Sequence, residues 1–278
     1  MKNSYKIVAS DLDGTLLDTC QRVSAENLDA IAEMNRRGIS FVPATGRTLS
    51  EIPKEIMNSS AIRYIITSSG AAVWDKQTEK MVITRCIPKE LVKFILDTVL
   101  VYNVYPLVHK SGKNHYDATK HNESVFESCR VGKYFQDIIN ATGYPIYGFY
   151  DFTLQSDDVE MFCIFFESDE AQEKCRRIFL NTGKLCVAKS DPHNLEICFS
   201  EAGKGSTLKA LADSLGVSME DTVAIGDSAN DISLLKAAGL ALAMDNAYDE
   251  LKAIADKVIC NNDEHSARYI LDNFILDN

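Results

Sequence analysis

A short apolar run, Ile7-Val8-Ala9-Ser10, ends abruptly in Asp11-Leu12-Asp13-Gly14. Branched apolar residues bounded by a turn signal read as a buried strand. In open α/β sheets the crevice beyond the carboxyl ends of the strands is where ligands bind. Asp11 and Asp13 therefore fall at a site position rather than a core position. Two carboxylates one residue apart repel each other, and both stay ionised only if a cation lies between them or one keeps a proton. The plainer alternative is an Asp-Gly turn whose carboxylates cap the next element.

The rest of the chain favours the site. After the first strand, Ser24 caps an expected helix with Leu28, Ile31, Ala32 and Met34 on one face, stopping near Gly38. Ile39–Ala44 reads as a second strand, Leu49–Met57 as a helix, and Tyr64–Thr67 as a third strand. A β-α-β-α-β order implies a parallel sheet with right-handed crossovers. The same grammar returns late. Helices are expected over Thr207–Leu215, Ile232–Ala238, Asp249–Ala255 and Ala267–Phe274, and strands over Thr222–Ile225, Leu240–Met244 and Lys257–Ile259. Between these halves the texture changes. Leu91–Tyr102 and Ala171–Leu180 read as helices, and Tyr147–Leu154 and Val159–Phe166 as strands. The organisation is an α/β core, residues 1–83 and 190–278, interrupted by an α+β domain over residues 84–189. With 278 residues the chain has room for two domains at roughly 150 residues each.

Charge narrows the partners. A formal net charge of −11 disfavours nucleic acid or an anionic membrane surface as partner. It leaves room for an anionic small molecule, because a bound cation inverts the local field. No apolar run approaches the ~18 residues of a membrane span, and the polar start Met1–Lys6 lacks the pattern of a signal peptide. Eight scattered cysteines, with no C-x-x-C pair, read as reduced thiols. The expected location is cytoplasmic, where the three Asn-x-Ser/Thr triplets at Asn58, Asn122 and Asn140 carry no sugar.

Three further segments join Asp11-x-Asp13 at strand ends or helix starts: Ala44-Thr45-Gly46-Arg47, Gly203-Lys204-Gly205-Ser206 and Gly226-Asp227-Ser228-Ala229-Asn230-Asp231. Together they offer carboxylates, a hydroxyl, a fixed cation and small residues, which suits a phosphoryl group held with a hard metal ion. Gly203-Lys204 is not a P-loop, since that motif needs glycine where Cys198 stands. His109, His115 and His121 have no cysteine at ligand spacing, so a zinc site is disfavoured. The aromatic run Tyr144–Phe152 reads as sheet packing rather than a base-stacking platform.

These four segments, in this order, resemble the haloacid dehalogenase-like (HAD) superfamily. Ala243-Met-Asp-Asn-Ala247 followed by Leu251-Lys252 narrows the resemblance to its Cof-type, sugar-phosphatase-like branch. The resemblance implies a Rossmann-like parallel sheet core with an inserted α+β cap. It implies an Mg²⁺-dependent phosphatase acting on small phosphomonoesters, sugar phosphates foremost, through an aspartyl-phosphate. In that reading Asp11 is the nucleophile and Asp13 the acid and base. Thr45 and Lys204 complete the catalytic set. Leu12, Thr45, Gly46, Lys204 and Asn230 contact the phosphate. Asp11, Asp227 and the backbone carbonyl of Asp13 hold the metal, with Asp231 behind them. The partner implied is a small phosphorylated metabolite, with oligomeric state left open. Two other readings share these residues: a phosphomutase of the phosphomannomutase kind, and a non-catalytic sugar-phosphate sensor. Departures from the family pattern are Ser69 for a common asparagine, Asp245 for a common glycine, and Ser266-Ala267 for a common Gly-Val.

Overall fold

The computed structural model describes residues 5–276, so the first part of the polar start, Met1–Ser4, lies outside the described residues. The chain forms two compact units. One comprises the stretch ending at Gly46, Ile52–Ile83 and the stretch from Lys204 onward. The other comprises Arg47–Glu51 and Thr84–Gly203.

Strand β1 (Ile7–Ser10) is buried along its whole length. A tight turn over Leu12–Leu16 leads to helix α1 (Ala25–Arg36), whose cap Ser24 accepts the amide of Asn27 at 3.2 Å. The buried face of α1 is Asn27, Ala30, Ile31 and Met34, while Leu28 and Ala32 are partly exposed. Ile31 and Met34 lie on the buried face as expected, but Asn27 and Ala30 take the places expected for Leu28 and Ala32. An asparagine sits inside because its amide is fully used, donating to Leu16 O and accepting from Ala267 N. Strand β2 (Ser40–Pro43) follows. The single helix expected over Leu49–Met57 does not form. A 3₁₀ turn, Leu49–Glu51, precedes the short helix α2 (Lys54–Asn58), and Pro53 separates them. A proline there lacks the N–H and crowds the preceding turn.

Strand β3 (Tyr64–Thr67) meets the end of β2 through one parallel bridge, Ala44 to Ile66. It then turns back instead of continuing the parallel pattern. Ser68 and Ser69 both take left-handed torsions (φ +48° and +53°) and reverse the chain into β4 (Ala72–Asp75). With β5 (Lys80–Thr84), these strands make a three-stranded sheet in sequence order.

The inserted unit contains helix α3 (Lys89–Val99), strands β6 (Val104–Lys110) and β7 (Lys113–Asp117), and helices α4 (Glu123–Ser128) and α5 (Lys133–Thr142). Strand β8 (Tyr144–Ile146), helix α6 (Phe149–Leu154), strand β9 (Val159–Phe166), helix α7 (Asp169–Leu180) and strands β10 (Leu185–Ala188) and β11 (Asn194–Phe199) complete it. Its six strands run β10-β11-β9-β6-β7-β8, antiparallel except for β7 beside β8. Alternation along β6 feeds two cores. Val104 and Val108 pack on one face, in the core that includes α3 and α7, and Tyr105 and Leu107 pack on the other, with Phe126 and Ile139. The strand expected over Tyr147–Leu154 is instead helix α6. Phe149 and Thr153, four residues apart, are its buried pair, which is helical rather than period-two spacing.

The chain closes with helix α8 (Lys204–Leu215), strand β12 (Thr222–Gly226), helix α9 (Ile232–Ala237), strand β13 (Leu240–Ala243), helix α10 (Asp249–Lys252), strand β14 (Lys257–Val258) and helix α11 (Ser266–Ile270). The five-stranded sheet runs β14-β13-β12-β1-β2, and every pair is parallel. The register sets Ser10 opposite Ile225, so the carboxyl ends of β1 and β12 lie side by side. Asp11 N donates to Ile225 O at 3.0 Å. Among the described residues no helix is long and apolar enough to cross a membrane.

Candidate active site

Parallel pairing of β1 with β12 brings together residues more than two hundred positions apart. The residue after β1, Asp11, is only 4% exposed. Lys204, 1% exposed at the start of α8, reaches it with Nζ 2.7 Å from Oδ1. The same ammonium lies 2.7 Å from Asp231 Oδ1 and 3.5 Å from Asn230 Oδ1. Asp231 is completely buried, and its second oxygen accepts the backbone amides of Asp227 (3.1 Å) and Ser228 (3.2 Å). Those bonds pin the loop after β12. Ser228 Oγ donates to Asn230 Oδ1 at 2.7 Å, which fixes that amide's orientation.

Asp11, Asp227 and Asp231 offer carboxylate oxygens within 4.8 Å of one another. Burial, then Asp231, push the Asp11 carboxyl well above its usual range, with Lys204 opposing. Burial and Asp231 likewise push Asp227 up to about 7. Burial works against the Lys204 charge, yet Asp11 and Asp231 hold its ammonium above the ordinary lysine range. With all three ionised, the carboxylates facing one ammonium leave two negative charges uncompensated, which is the charge of one divalent cation. All-oxygen donors suit a hard ion. The acidic group therefore fits a metal ion, with Asp231 the least available ligand because Lys204 and two amides already occupy it.

Asp13 stands two residues on, partly buried, with extended torsions (φ −73°, ψ 123°). Its carboxylate is outside the three-residue group; the ligand expected from it was its backbone carbonyl. Gly14 follows at φ +71°, and a Cβ there would lie 2.4 Å from Asp227 Oδ2, so only glycine fits. Leu12 has a fully buried side chain, leaving its backbone as the part able to meet a ligand. Thr45 is 1% exposed beyond β2, its amide on Ile66 O (3.0 Å) and its carbonyl accepting from Ser69 N (3.0 Å). Gly46 is the last residue of that segment in this unit. Arg47 belongs to the inserted unit, where it donates to Tyr134 Oη (2.9 Å) and Glu51 O (3.2 Å). There too, His121 bonds Tyr105 Oη and Asn140, and His115 rests between Tyr144 and Phe152.

Sequence reading passed over Thr15, whose hydroxyl reaches Asp227 Oδ1 at 3.4 Å, and Asn246, whose amide reaches Gly14 O at 2.8 Å. Thr15 was visible as the residue after Asp-Gly, and Asn246 lay inside a motif already singled out.

A family model described as haloacid dehalogenase-like hydrolase matches residues 8–271. The chain is 30% identical to the 5-amino-6-(5-phospho-D-ribitylamino)uracil phosphatase YwtE of Bacillus subtilis, over 97% of this chain and 98% of that protein. It is 29% identical to the phosphatase YwpJ of the same organism, over 97% of this chain and 100% of that one. A solved haloacid dehalogenase-like hydrolase from B. subtilis superposes with a TM-score of 0.83 at 28% identity, covering 97% of this chain and 100% of that one. With its parallel sheet, its inserted α+β unit and its acidic group around Lys204, the chain belongs to the haloacid dehalogenase-like hydrolase family and is an enzyme of its phosphatase kind.

Proposed function

We propose that the protein is an Mg²⁺-dependent phosphatase that hydrolyses small phosphomonoesters through a phosphorylated Asp11. The observation that carries this reading is the Lys204 ammonium bridging Asp11 and Asp231 beside Asp227, at adjacent strand ends. It holds one carboxylate oxygen of Asp11 and leaves the other to attack.

In the first step an Asp11 oxygen forms a bond to phosphorus as the bond to the substrate oxygen breaks. The carboxyl of Asp13 delivers its proton to that leaving oxygen. In the second, water attacks phosphorus, gives its proton to the Asp13 carboxylate, and Asp11 leaves with inorganic phosphate released. A carboxylate nucleophile divides one hard displacement into two easier ones. Asp11, Asp227 and the Asp13 carbonyl would hold Mg²⁺, which when bound neutralises phosphoryl charge. Lys204 neutralises more of that charge, and Thr45, Asn230 and the backbone of Leu12 and Gly46 bind phosphoryl oxygens.

The ribityl phosphate ester named for YwtE supports a phosphorylated sugar or polyol as the substrate class. Substrate choice is assigned to the inserted unit, whose main stretch is Thr84–Gly203. The net charge of −11 supports a small metabolite rather than nucleic acid as partner.

The test is phosphate release from a panel of sugar and polyol phosphates with Mg²⁺ and with chelator. Turnover should require the ion, and Asp11→Asn should abolish it while the variant still binds substrate. Persistent turnover in Asp11→Asn would end the nucleophile assignment. An isomerised sugar phosphate without free phosphate would make the enzyme a mutase.

A further inference from the structure

Four consecutive backbone carbonyls follow Asp13, and each accepts a hydrogen bond from a side chain of a different segment. Gly14 O takes Asn246 Nδ2 at 2.8 Å. Thr15 O takes Ser266 Oγ at 2.9 Å. Leu16 O takes Asn27 Nδ2 at 3.3 Å. Leu17 O takes Asn262 Nδ2 at 2.9 Å. The donors are themselves fixed. Asn246 Oδ1 accepts Asn262 N at 3.1 Å, and Asn27 Oδ1 accepts Ala267 N at 2.9 Å. Ser266 is completely buried.

Gly14 explains why such a hold is needed. Its left-handed torsion and its contact with Asp227 exclude every side chain, so the residue next to Asp13 is the one with the loosest backbone. Stiffness must then come from outside the turn. Asn246 is placed to supply it, because its loop is also tied to the other acidic segment. Met244 N donates to Gly226 O and Tyr248 N to Asp227 O, each at 3.0 Å.

We propose that Asn246, backed by Ser266, Asn27 and Asn262, is a positioning residue that sets the direction of the Asp13 carboxyl relative to Asp11 and Asp227. This rests on the acid–base role of Asp13 given above. A proton donor out of line still permits departure of a leaving group that needs no proton. It fails for an alkoxide, since proton delivery contributes about 10²- to 10⁴-fold where the leaving group is poor.

The experiment compares kcat/KM, which reports steps up to leaving-group departure, on a hexose 6-phosphate and on 4-nitrophenyl phosphate. In Asn246→Ala the hexose phosphate value should fall by about tenfold or more and the nitrophenyl value by less than about threefold, as partial loss of a general acid requires. Asn246 is exposed, so the variant should fold; Ser266→Ala, nearly isosteric, should give the same selective loss in smaller measure. Equal losses on both substrates, or none, would overturn the proposal. Asp13→Asn is the reference. If its loss is not selective for the hexose phosphate, the acid role itself fails, and the proposal with it. If Asp13→Asn is selective and the Asn246 and Ser266 variants are not, only the positioning role is lost.

Discussion

Lys204 is the residue on which the site's electrostatics turn. Its ammonium lies 2.7 Å from each of two buried carboxylates, Asp11 and Asp231. Removing one partner of a buried ionic group typically costs about 3–5 kcal/mol, because the others stay behind uncompensated. Lys204→Met should therefore lose about that much stability at pH 8, read by denaturant melts. The sign with pH follows from burial raising Asp11. A carboxyl whose folded pKa lies above its unfolded value binds more protons when folded, so folding strengthens as pH falls. The Lys204→Met deficit should shrink markedly at pH 5. Ser69 is the second telling residue. It departs from the common asparagine and sits at φ +53°, ψ 30°. Left-handed torsions cost most L-residues about 1–2 kcal/mol, and asparagine bears them better than serine does. Ser69→Asn should thus raise stability by about 0.5 kcal/mol, seen as a small rise in Tm. A drop would mean that serine's own contacts outweigh the torsion.

At the scale of elements, the helices carrying the site meet at a close approach. A Cβ on Gly205 would lie 2.0 Å from Ser233 O on α9. Gly205→Ala must push α8 off α9, an overpacking cost of about 1–3 kcal/mol or more. Because Lys204 is its neighbour, the same change should cut turnover; a variant with full activity would show that α8 can shift without moving the ammonium. The elements also show what sequence could and could not reveal. The grouping of Asp11, Asp227 and Asp231 with Lys204 was legible because strand ends and a helix start punctuate the sequence, and parallel pairing of β1 with β12 gathers the carboxylates. The face of α1 was misread because Asn27 looks like a surface residue until its partners Leu16 and Ala267 are known. Helix α6 was misread because Tyr147-Gly148-Phe149-Tyr150 has strand-like composition, and only its buried i,i+4 pair decides otherwise. Asn246 was passed over as a positioning residue because its role depends on a carbonyl 232 positions away.

For the whole molecule, the proposed metal ion and a proton would compete for the same carboxylates. Burial and Asp231 push Asp227 up to about 7 without a cation. Below that value the folded protein holds a proton there that the unfolded chain, near the ordinary 3.8, has lost. Stability of the chelated protein should therefore decline as pH rises from about 4 to 7. Added Mg²⁺ should restore it above pH 7 and do little at pH 5, in proportion to ln(1 + [Mg²⁺]/Kd). Thermal melts across pH with and without the ion read both effects; a chelated protein most stable at pH 7 would contradict the buried-carboxylate account.

The central place of β1, paired on one side with β2 and on the other with β12, bears on synthesis. Asp11 leaves the ribosome early, but β12 and the ammonium donor follow only after some two hundred more residues have been translated. Until then the nascent strand has an open edge, a template for pairing with other chains. A chain ending before Lys204 would hold Asp11 with neither the ammonium nor β12 beside it, and its unpaired strand edge would be exposed to aggregation.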